Sequence, residues 1–112
     1  MTTFSERERA FEAKYAFDEE FRFRVAARRD KVFAHWAAEQ LHLSEHDRDD
    51  LTNQVLAIDD GAGHEERLLK LIRHNFILRG AKDPSDLRTA LYQCAEQARL
   101  ELIDHHPGAL TL

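Results

Sequence analysis

The sequence predicts an all-α fold, a small antiparallel four-helix bundle with a long first helix and an extended or mobile N-terminal arm. Residues 3–43 keep one near-unbroken helical pattern, three further apolar-periodic segments of about 15 to 20 residues follow, and no run of alternating β-branched residues occurs. The connections, about three to five residues each, make sequence neighbours antiparallel. A chain of 112 residues is long enough for one core but not for two.

The first helix carries two start signals, Thr3 with Glu6 and Ser5 with Glu8, each at the spacing where side chain and backbone donors satisfy one another. At about 100° per residue, Phe4, Phe11 and Tyr15 share a face that continues through Phe21, Val25, Val32, Trp36 and Leu43. Lys14, Asp18 and Arg22 interrupt that stripe, so the acidic triplet Asp18-Glu19-Glu20 is the expected place for a bend or for the end of persistent helix in the free protein. Phe17 and Phe23 fall off the stripe and are expected to be exposed apolar groups. A helix of this length is a rod of about 60 Å, so roughly half of it has nothing of its own length to lie against.

Ser44, with Asp47 three residues on, predicts the N-cap of a second helix over 45–59, with Leu51, Val55 and Ile58 facing inward. The two glycines of Asp59-Asp60-Gly61-Ala62-Gly63 make a turn, after which Leu68, Leu69, Ile72 and Phe76 trace the face of a third helix ending near Gly80. Asp83 is the expected cap of the fourth helix and Pro84 its first residue, where a missing N–H costs nothing. Leu87, Leu91, Cys94, Ala98 and Leu102 give that helix its inward face, and Pro107-Gly108 stops it. The expected organisation is an arm at 1–19, a bundle at 20–106 and a loose tail at 107–112.

Sixteen Lys and Arg against 21 Asp and Glu give a net charge of -5, unevenly spread. Five bases at 22–31 face only Asp30, whereas 44–60 holds six acids against Arg48. The run R-x-R-x3-R-R-x-K suggests nucleic acid, but Asp18 and Glu20 stand four residues before Arg22 and Arg24, a spacing that lets the charges pair along the helix. Nucleic acid is therefore not expected. Arg28, Arg29 and Lys31 remain available for an acidic protein partner or as an anion or nucleotide contact. The single cysteine, Cys94, reads as a core residue. There is no apolar N-terminal run and no stretch near 18 consecutive apolar residues, so a cytoplasmic protein without membrane insertion is expected.

His42 and His46 straddle the Ser44 cap, and no cysteine pair accompanies the seven histidines, so no metal centre is expected. His64 and His74 read as surface residues. Without a phosphate loop, a nucleophile elbow or paired carboxylates away from neutralising bases, neither an enzyme nor a cofactor is expected. The Phe4/Phe11/Tyr15 face fits either core or a helix that lies in a partner's groove. No histidine precedes His35, so any pH effect is expected to act through the bundle.

The blocks F-S-E-R-E-R-A-F-E-A-K-Y-A-F-D-E-E at 4–20, F-R-F-R-V-A-A-R-R-D-K at 21–31 and W-A-A-E at 36–39 resemble the zeta subunit, the inhibitor of F1-ATPase in alphaproteobacterial F-type ATP synthases. The chain departs from that family's pattern at His42, where a glycine is common, and in the 59–66 turn. The resemblance implies a four-helix bundle whose arm enters the F1-ATPase head, against the central stalk, and blocks rotation in the hydrolysis direction. Phe4, Phe11, Tyr15 and Phe17 would be its anchors and Arg7, Arg9, Glu12 and Lys14 their polar partners. It also implies a protein peripheral at the membrane-bound synthase, with weak adenine-nucleotide affinity in the bundle, and a monomer is expected. The alternative is a helical adaptor or nucleotide-sensing bundle without catalysis.

Overall fold

The computed structural model describes the backbone of residues 4–82 and 86–105 and the side chains of 18–82 and 86–103. Four helices follow in order: α1 (Phe4–Gln40), α2 (Glu45–Leu56), α3 (His64–Leu78) and α4 (Leu87–His105). Among the described residues there is no strand. The molecule measures 65 × 28 × 25 Å, its length set by α1.

α1 is one helix of 37 residues that runs through the acidic triplet without a break. Glu19 pairs with Arg22 at 3.4 Å and Glu20 with Arg24 at 2.7 Å, so charges that could repel are braced along the helix surface. The expected bend is therefore absent. Ser5 lies on the helical backbone of α1, and its side chain and the other start signal, Thr3, lie outside the described residues.

The end of α1 is chemically specific. Leu43 N–H reaches back to Ala38 C=O at 3.0 Å and His42 N–H to Glu39 C=O at 3.2 Å, the paired bonds of a Schellman cap. That cap needs a left-handed residue, and His42 supplies it at φ 54°. α3 ends in the same way, with Ala81 N–H on Phe76 C=O and Gly80 N–H on Ile77 C=O, both at 3.0 Å. There the left-handed residue is Gly80, at φ 66°.

The core differs from the stripe read along α1. Its fully enclosed positions are Phe33, Ala34 and Ala37, with Ala38 nearly so, whereas Val32 and Trp36 are only partly buried. α1 packs mainly against α4 and α2, and alanines at 34, 37 and 38 allow close helix approach. Leu51 and Val55 from α2, Leu68, Leu69, Ile72 and Phe76 from α3, and Leu87, Leu91 and Cys94 from α4 complete it. Burial pushes the Cys94 thiol above its ordinary pKa. Trp36 stacks on Phe33 at 5.6 Å between ring centres and leans on Phe76 at 6.3 Å, joining α1 to α3.

Ser44 caps α2 as expected, its hydroxyl accepting from Asp47 N–H at 3.1 Å. The cap of α4 is Asp86, whose carboxylate accepts from Thr89 N–H at 3.0 Å and from the Thr89 hydroxyl. Those bonds hold Asp86 below its ordinary pKa. Asp83 and Pro84, expected to start α4, and the 107–112 tail lie outside the described residues.

Candidate functional site

The expected partner-binding residues Phe4, Arg7, Arg9, Phe11, Glu12, Lys14, Tyr15 and Phe17 stand on the helical backbone of α1, and their side chains lie outside the described residues. What the structure describes is the base from which that segment extends. Glu19, Glu20, Arg22 and Phe23 are exposed, and close cover of α1 begins only at Asp30.

The four arginines of the basic run at 22–31 are bonded to carboxylates. Arg22 and Arg24 hold Glu19 and Glu20, and Arg28 reaches Glu101 on α4 at 2.8 Å. Arg29 makes two bonds to Asp30 Oδ1, at 3.0 and 2.9 Å. Of the three residues read as an anion contact, Arg28 and Arg29 thus already hold carboxylates, and Arg28 and Lys31 both act on His35. Lys31 turns instead toward a groove lined by His35, Arg48, Asp49, Thr52 and Asn53. There burial, followed by the charges of Arg48, Lys31 and Arg28, holds His35 below its ordinary pKa.

A polar centre that the sequence did not announce lies beneath Phe23. Asp30, 6% exposed, sits on the inward arc of α1, and His64 begins α3 directly opposite. Gly61 at φ 98° and Gly63 at φ 82° let the connection double back so that the His64 ring faces α1. His64 Nδ1 lies 2.8 Å from the Asp59 carbonyl and Nε2 lies 2.5 Å from Asp30 Oδ2. A carbonyl only accepts, so Nδ1 carries a proton; with a carboxylate on Nε2, the arrangement favours imidazolium. The Asp59 carbonyl raises the His64 pKa most, burial opposes it, and Asp30 adds a hydrogen bond and its charge. His64, read as a surface residue, is therefore a half-buried latch between α1 and the turn ahead of α3. A histidine placed just after a double-glycine turn was the available signal.

This latch belongs to a chain of charges across three helices. Arg29 lies 4.0 Å from Glu65, and Arg88 on α4 pairs with Glu65 at 3.4 Å and with Glu66. Elsewhere, His46, Asp47 and Asp50 bring ligand atoms within 4.8 Å of one another, but Asp47 is also 3.4 Å from Arg79. His42 is exposed and its backbone serves the α1 cap.

Among the described residues, no helix is long and apolar enough to cross a membrane. Neither the curated proteins nor the solved structures contain a significant match to the chain. A protein-family model described as ATPase inhibitor subunit zeta matches residues 1–101.

Proposed function

The chain belongs to the ATPase inhibitor subunit zeta family, and from that premise we propose that its N-terminal arm, about residues 1–19, enters the F1-ATPase head and blocks rotation in the hydrolysis direction. The family assignment itself supports an inhibitor that regulates the ATPase. The observation that carries the finer reading is the length of α1. Thirty-seven residues form one helix in a molecule whose other dimensions are only 28 and 25 Å. A helix of about 55 Å has a front half that the bundle is too short to cover.

The role is steric. Phe4, Phe11, Tyr15 and Phe17 anchor the arm in apolar recesses, while Arg7, Arg9, Glu12 and Lys14 keep it soluble when free and pair with polar groups of the head. Several aromatic anchors are needed because ordering a segment on binding costs conformational entropy. A nucleotide-sensing bundle is the weaker reading, since Arg28 and Arg29 already hold Glu101 and Asp30.

The test is hydrolysis by the isolated head, titrated with the full chain and with a version starting at Glu20 whose helicity is checked by circular dichroism. The full chain inhibits and the shortened one does not. Equal inhibition by both would place the active region in the bundle and defeat the proposal.

A further inference from the structure

The inward arc of α1 continues past the end of the bundle. Phe23, Ala26, Ala27 and Asp30 stand at helical spacing ahead of Phe33, Ala34 and Ala37, on the same side of the helix. Yet Phe23 is 63% exposed, because α2 stops at Leu56 and the chain turns away through Asp59–Gly63. Leu56, 57% exposed, lines the same groove, a space of about 390 Å³. Val55, Ile58 and the two alanines complete its apolar lining, and the Asp30–His64 pair forms its polar part. Those two groups already satisfy one another, so what the groove offers is apolar surface. Asp60 stands at its edge with a side chain 79% exposed, next to the exposed Asp59.

We propose that this groove is a second docking surface for the ATPase head, occupied by an apolar side chain of a helical segment flanked by Lys or Arg. The proposal rests on the inhibitor reading and extends it from the arm to the bundle. Continuity supports it, since Phe23 lies on the same unbroken helix as the arm. Charge chooses the occupant: the exposed Asp59–Asp60 edge favours a basic segment.

The test uses the full chain with a photoreactive residue at position 56, and the same group at the exposed position 92 on α4 as control. Crosslinking to the head from 56 and not from 92 is expected. In parallel, Phe23→Ser combined with Leu56→Ser raises the concentration for half inhibition roughly tenfold or more, with the thermal midpoint unchanged. Asp60→Lys weakens the salt dependence of inhibition. Crosslinks equal at both positions, crosslinks joining two copies of this chain, or a double variant that inhibits like the parent would each overturn the proposal. If the parent inhibits and the groove variants match it, the groove fails and the arm reading stands. If the parent itself does not inhibit, both fall.

Discussion

His64 Nε2 meets Asp30 Oδ2 at 2.5 Å while its other ring nitrogen is held by the Asp59 carbonyl. One imidazole thereby ties the turn between α2 and α3 to the inward face of α1. Arg29 from α1 and Asp60 from the turn also face this pair, and Glu65 of α3 reaches it through Arg29.

Because the folded-state pKa of His64 is raised above 6.5, its contribution to stability is fully present below that value and is lost as pH rises through the folded pKa. Urea unfolding of the wild type and of His64→Gln at pH 5.5 and pH 8.5 measures it. The wild type should exceed the variant by about 1–3 kcal/mol at the lower pH, with the gap narrowing at the higher. A gap independent of pH would show that the His64 charge contributes nothing.

His42 and Gly80 occupy the same position in equivalent helix caps, at φ 54° and 66°. A side chain in that conformation costs about 1 kcal/mol. His42→Gly should therefore stabilise the protein by roughly that amount, and Gly80→Ala should destabilise it similarly, since an added Cβ at 80 meets nothing within 4 Å. Denaturant midpoints for the two variants moving in the same direction would refute the shared-cap account.

Phe33 is fully enclosed and stacks on Trp36. Phe33→Ala should cost about 3–5 kcal/mol, a large share of the stability of a domain this size. Chemical denaturation with a matched slope reads this directly, and a loss below about 1 kcal/mol would mean that the site collapses around the cavity.

Phe11→Asp with Tyr15→Asp should leave the unfolding midpoint of the bundle unchanged while abolishing inhibition of the ATPase. Loss of both together would make these aromatics part of the bundle core instead of the arm.

Much of the fold is legible in the sequence because α2, α3 and α4 each pack through one narrow stripe. Leu68, Leu69, Ile72 and Phe76 are the residues that periodicity picks out, and all are buried. α1 is harder because two helices flank it. Its inward arc is made of Ala34, Ala37 and Ala38 around Phe33, while the bulkier Val32 and Trp36 sit at the flanks. A stripe traced through large side chains therefore points to the edge of the buried surface. Phe23 is exposed as expected, though it lies on the inward arc, beyond the reach of α2. The Asp30–His64 latch joins residues 34 apart in sequence, a separation that no local pattern spans.

The unbroken backbone of α1 has a mechanical corollary. A bare helix is about 10–12 Å across, whereas the body it grows from is 28 × 25 Å in section. On the proposed arm insertion, a slot wide enough for the shaft would stop the body at its rim, so the depth of penetration would be fixed by geometry, near the residues where the other helices begin. Tighter adhesion could lengthen the time spent inside, but it could not drive the tip any deeper.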